Sequence, residues 1–135
     1  MVDAERLHRL LRRVSDDLTV LRGYAGVDDA LISDPVRLGH VKYVFVTMLE
    51  GCIDAAQHVC AAEGYGPPGS NAEAVLLLAR HGLLPGELAD RMALAVRFRN
   101  VLVHGYAEVD DRRVVEHLGR LDDVSAYVRA LSGLL

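Results

Sequence analysis

Residues 34–63 read DPVRLGHVKYVFVTMLEGCIDAAQHVCAAE, and the fold follows from how this stretch is interpreted. Val41, Val44, Phe45, Met48, Cys52, Ala55, Ala56 and Val59 recur at spacings of three and four, the period of an α-helix and not the alternation of a strand. Asp34 supplies a side-chain cap, and Pro35 has the fixed φ and missing N–H that suit the first helical position. The helix is expected to run to about Glu63. There Gly64-Tyr65-Gly66-Pro67-Pro68-Gly69 cannot continue it and forms a loop. This long second helix is the spine of the fold.

Upstream, Leu7, Leu10, Leu11, Val14, Leu18 and Leu21 mark an amphipathic first helix ending near Gly23, with Arg6, Arg9, Arg13 and Asp17 on its other side. Downstream, Ser70 and Glu73 stand at capping-box spacing before a short third helix that stops at His81-Gly82. Pro85 opens a fourth helix to about His104. Asp110-Asp111 starts a fifth, with Val114, Leu118, Leu121, Val128 and Leu131 on one stripe. Short connections imply antiparallel neighbours, and no repeat or sustained alternation competes. The expectation is one all-α antiparallel bundle of about five helices over residues 1–135. A chain that is 51% hydrophobic, 5% aromatic and without Trp suits helices packed through Leu, Val and Ala.

A formal net charge of −4 argues against a protein that coats duplex DNA through a broad basic face, so any nucleic-acid contact is local. Cys52 and Cys60, eight positions apart on one helix, would have Cα atoms about 12 Å apart, too far for a disulfide. Both read as reduced core cysteines. Neither an apolar signal core nor a membrane-length apolar run is present, which leads to the expectation of a soluble, cytoplasmic protein with no membrane partner.

The fourth helix carries the chemistry. Met92 to Val96, with Phe98, Val101, Leu102 and Val103, make it apolar nearly all round, the pattern of a helix buried against neighbours or a partner chain. At 100° per residue, Arg97, Asn100 and His104 share one side, while Arg99 falls within the stripe of Leu88, Met92, Ala95 and Leu102. An arginine there must be paired, reach water along its stem, or face a polar cleft, because burial alone costs several kcal/mol. Asn100 is one turn from His104 and is positioned to set its tautomer. Gly105 ends the helix, so the negative end of the dipole favours the protonated imidazole. Such a pair suits metal-free RNA cleavage: the 2′-hydroxyl attacks the adjacent phosphate, Arg99 neutralises the phosphorane, and His104 acts as general acid or base. Neither a metal nor another cofactor is required.

The order Arg99, Asn100, three further residues, His104 and then Tyr106 resembles the signature of HEPN ribonucleases, and the tyrosine narrows the likeness to the HepT-like branch. Ile53-Asp54-Ala55-Ala56-Gln57-His58-Val59 is similar to the long-helix motif of that branch. The likeness covers roughly residues 35 to 120. It implies a HEPN-type bundle, a homodimeric toxin of a toxin–antitoxin module with Arg99 and His104 lining a cleft between subunits, and an MntA-like minimal nucleotidyltransferase as antitoxin. It also implies that this partner places AMP on Tyr106, adding bulk and negative charge that repel an RNA phosphate.

Arg99 and His104 are five residues apart, about 140° around and about 7.5 Å along a regular helix. Either the helix unwinds near Val103 or Arg99 works with a partner's His104 across a twofold axis. Two rival readings remain: a non-catalytic HEPN binding module for a nucleotidyltransferase, and a plain helical interaction protein. Intact Arg99 and His104 favour the enzyme. Asp54 and His58 are expected to pair locally rather than bind metal. Glu50 and Asp54 read as a solvated face or cleft lining. His8, His40, His81 and His117 default to the surface, and Tyr24, Tyr43, Tyr65 and Tyr127 to core edges.

Overall fold

The computed structural model describes residues 1–105 and 109–135. Its regular elements among these residues are seven α-helices: α1 (Ala4–Arg22), α2 (Asp28–Ile32), α3 (Pro35–Glu63), α4 (Asn71–Arg80), α5 (Gly86–His104), α6 (Asp111–Leu118) and α7 (Leu121–Ser132). The caps expected from sequence close the helices they should. Asp34 accepts a hydrogen bond from the Arg37 N–H, and the α3 C-terminus ends on Gly64 at φ 74°, a left-handed conformation that favours glycine. Ser70 Oγ accepts from Glu73 N, while the Glu73 carboxylate reaches back to Gly69 N, one residue beyond the usual box.

Seven helices replace the five expected, for two reasons. A single turn, α2, forms between the first helix and the spine and buries only Leu31. The expected fifth helix is two, divided at Gly119 and Arg120. The apolar spacing runs on across that break, so periodicity alone could not reveal it. After the break α7 buries Leu121, Val124, Tyr127 and Leu131, and Val128 is only half-buried.

The spine is covered from several sides: α1 packs along it, α4 and α5 cover further faces, and α7 packs against α1 and α5. The antiparallel register of α1 on α3 is pinned at three levels. Asp3 N donates to His58 Nε2, Thr47 Oγ1 donates to Asp17 Oδ2, and Tyr24 Oη lies 2.7 Å from His40 Nδ1. His58 therefore serves α1 and not Asp54, which is exposed. Between these levels Gly51 allows close approach, since a Cβ there would meet Val14 Cγ2 at 2.7 Å. Tyr127 is fully buried, not at a core edge, and its hydroxyl donates to the Cys52 carbonyl at 2.8 Å. That bond satisfies the phenol and anchors α7 to the spine. Tyr43, by contrast, is 67% exposed.

Cys52 and Cys60 are free and buried. Burial, aided by Asp17, pushes the Cys52 thiol up to about 12, so it stays a protonated core side chain. The buried side chains form one cluster, and no described helix is long and apolar enough to cross a membrane.

His8, His40 and His81 lie at the surface, but His117 does not follow that expectation. Its ring stacks on Phe98 at 4.1 Å and 16° and meets the edge of Phe45. Burial first, then the charges of Arg120 and Arg113, lower its pKa from 6.5 to about 4. The folded state therefore binds a proton less readily than the unfolded chain, and His117 disfavours folding only where the unfolded imidazole is charged. Stability is expected to be complete above pH 6.5 and to decline as pH falls towards 4. Thermal unfolding followed across that range should show the decline, and a shallower one in His117→Gln.

Candidate active site

Helix α5 buries Leu88, Ala89, Met92, Ala93, Val96, Phe98 and Leu102, which turns Arg99 inward beside Glu50 of α3. The Arg99 side chain is only 17% exposed. Its NH2 group donates to Glu50 Oε1 at 2.8 Å, and its NH1 group to Asn100 Oδ1 at 3.0 Å. Its Nε is buried and has no hydrogen-bond partner among the described residues. The arginine on the apolar stripe is thus paired, as burial requires, yet one donor is left unused.

Glu50 carries a second cation. Arg13 of α1 approaches its Oε2 at 3.8 Å, with 47% of the arginine side chain exposed. One carboxylate therefore sits between guanidinium groups from two helices. The inner contact is short and sheltered; the outer one is loose, and exposed pairs of that kind contribute about 0–1 kcal/mol.

Asn100 does not play the part its spacing suggested. Its carbonyl oxygen accepts from Arg99, so the amide orients the arginine and not the imidazole. His104 is exposed in the last turn of α5. The helix is regular through it, and Gly105 N donates to the Val101 carbonyl at 2.9 Å, which removes the alternative of unwinding near Val103. Arg99 and His104 of one chain consequently stay about 140° apart around the helix. Tyr106 lies outside the described residues.

The outer side of this region exposes several apolar side chains. Val36 and Tyr43 on α3 and Leu94 and Val101 on α5 are exposed. Lys42, Tyr43, Val46, Leu102 and Val103 line an open groove of about 360 Å³ between the two helices. Leu94, Arg97, Val101 and His104 follow one another at three- and four-residue steps, so the exposed aliphatics share a helix face with the histidine. Among the described residues no three His, Cys, Asp or Glu side chains group where they could hold a metal ion.

From the sequence Glu50 reads as a solvated face or cleft lining and Arg13 as one of the polar residues opposite the α1 stripe, neither as a site residue. A usable signal existed for the first. Glu50 and Asp54 are the two carboxylates in the middle of the spine, and a striped arginine needs an acid. Only the side on which α5 packs decides between them.

A family model for HepT-like ribonucleases matches residues 5–131. The chain belongs to this family. Over 82 residues this HepT-like chain is 33% identical to the mRNA nuclease HepT of Shewanella oneidensis, a match covering 58% of this chain and 60% of that protein. The aligned region thus spans less than two thirds of that relative. Among solved structures, the tri-AMPylated Shewanella oneidensis HEPN toxin in complex with MNT antitoxin is similar at a TM-score of 0.88 and 23% identity, over 98% of this chain and 99% of that one. YutE of Bacillus subtilis, described as a cytosolic protein of unknown function, is similar at a TM-score of 0.87 and 13% identity, over 99% of this chain and 91% of that one. At such identities the likeness is one of fold.

Proposed function

We propose that this HepT-like chain is a cytoplasmic, metal-independent endoribonuclease toxin. It works as a homodimer through Arg99 and His104, with Asn100 in support, and is silenced when a nucleotidyltransferase antitoxin of the MntA type adenylylates Tyr106. The observation that carries this reading is the state of Arg99. It is a sheltered guanidinium held on two sides by Glu50 and Asn100, on a helix whose last turn exposes His104.

In the cleavage step the ribose 2′-oxygen attacks the neighbouring phosphorus, forming one P–O bond as the P–O5′ bond breaks. The 2′-proton passes to a base, and a proton from an acid returns to the leaving 5′-oxygen. The products are a cyclic 2′,3′-phosphate and a 5′-hydroxyl. Arg99, already fixed, stabilises the charge that builds on the phosphoryl oxygens without reorganising at that moment. His104 serves the proton transfers. Because the two diverge on one helix, Arg99 of one protomer meets His104 of the other, and the apolar outer face of α3 and α5 supplies the surface on which two copies pack.

Adenylylation would join the Tyr106 phenol oxygen to the α-phosphorus of ATP and release pyrophosphate. The adduct is bulky and anionic, two residues from His104, where it competes with an RNA phosphate for the same positive charge.

The test is direct. The purified chain, incubated with RNA in excess chelator, is expected to release fragments ending in cyclic phosphate, and its expression alone should arrest growth. Co-expression of a minimal nucleotidyltransferase should relieve the arrest. Tyr106→Phe should still cut RNA at the wild-type rate but gain no AMP mass from the partner and escape its protection. Persistent mass addition in that variant would refute Tyr106 as acceptor.

The rival is a non-catalytic HEPN module that partners a nucleotidyltransferase. In that case RNA stays intact in the same assay and the partner still binds.

A further inference from the structure

We infer that Arg13 on α1 is a second phosphate-binding arginine, one that holds the RNA strand beside the scissile linkage, and that Glu50 keeps Arg13 and Arg99 turned to one place while RNA is absent. This rests on the RNA-cleaving reading above and adds to it a contact on a different helix.

The register of α1 on α3 puts Arg13 beside Glu50. Its level is set by the Asp17–Thr47 bond on one side and the Asp3–His58 bond on the other. The two oxygens of Glu50 then face two cations, Arg99 at 2.8 Å and Arg13 at 3.8 Å, so the trio keeps one net positive charge. The chain as a whole carries −4. Any attraction for RNA must come from such local clusters, because phosphate binding is driven by cations that displace counterions.

The two arginines differ in what they have left to give. Arg99 is sheltered and makes two hydrogen bonds. Arg13 is about half exposed and makes no hydrogen bond among the described residues. Its five N–H donors, in a fork suited to a phosphate, are thus not committed to any acceptor among the described residues. Little holds it to Glu50, so little is lost when it turns to an anion. Arg6 lies seven residues earlier, two turns along the same side of α1, and is exposed. Arg13 and Arg6 thus add two exposed cations on one side of α1.

Counterion release gives a readout that a structural role would not move. Binding of the full-length chain to a single-stranded RNA carrying 2′-O-methyl groups, which block attack, is followed by fluorescence anisotropy over a series of KCl concentrations. Arg13→Gln is expected to weaken binding and to reduce the slope of log K against log salt by about 0.7, the share of one phosphate on a single strand. Arg13→Lys should retain the slope. With cleavable RNA, KM should rise in Arg13→Gln while kcat stays within about two-fold, a loss of binding that is uniform between ground and transition states. If the wild-type chain cleaves RNA and Arg13→Gln matches it in slope and KM, the inference is wrong and the cleavage reading stands. A wild-type chain that neither binds nor cuts RNA overturns both. A fall in kcat with an unchanged slope overturns the phosphate contact alone.

Discussion

Alanine at Arg99 or at His104 is expected to slow RNA cleavage by roughly 10²–10⁴-fold, the range for loss of one charge-stabilising donor or one proton-transfer group. Single-turnover cleavage of a short RNA would measure it. Both variants should remain folded, because His104 is exposed and the carboxylate that Arg99 leaves behind is itself 37% exposed and still beside Arg13. Asn100→Ala should cost less, since it removes one of the two bonds that aim Arg99. The two null variants also test the dimer. If Arg99 acts with the partner's His104, an equal mixture of Arg99→Ala and His104→Ala chains should recover roughly a quarter of wild-type activity, because half the dimers are mixed and each has one of two clefts intact. If both groups act within one chain, the mixture stays inactive.

The second large effect is structural. Phe98→Ala should destabilise the protein by about 3–5 kcal/mol, the usual cost of deleting a fully buried aromatic ring. A chain of this length is typically stable by about 7–20 kcal/mol, so the loss is a sizeable fraction of the total. Phe98 is 1% exposed, stacked on His117 and edge-on to Phe45, with the Arg113 guanidinium over the ring at 5.4 Å. Through His117 and Arg113 it ties α6 to the helix that carries Arg99. Urea unfolding should show a lower midpoint with little change in slope, and Phe98→Leu should lose less. A shift worth under about 1 kcal/mol would mean that the ring is not packed as described.

Much of this fold is legible in the sequence. The spine from Pro35 to Glu63 and its two caps follow from local rules, because a proline at the first helical position and a left-handed glycine at the end act within a few residues of themselves. The break between α6 and α7 was not legible, since the apolar period passes straight through it. Periodicity reports which side of a helix is covered, not whether the axis turns. His117 escaped for a related reason. A histidine in a polar-looking segment gives no sign that an aromatic ring from another helix will stack on it.

For the site, helical period and the glycine stop already fix the helix, the place of Arg99 on its apolar stripe, the last-turn position of His104 and the divergence between them. The partners are set only by packing. Glu50, not Asp54, holds Arg99; Asn100 serves the arginine, not the histidine; and Arg13 arrives from a helix more than eighty residues away in the chain. The physical reason is the range of the forces involved. Helical period and capping are local, whereas which carboxylate meets which guanidinium depends on how α1 and α5 seat against the spine, and that is settled by packing across the whole core.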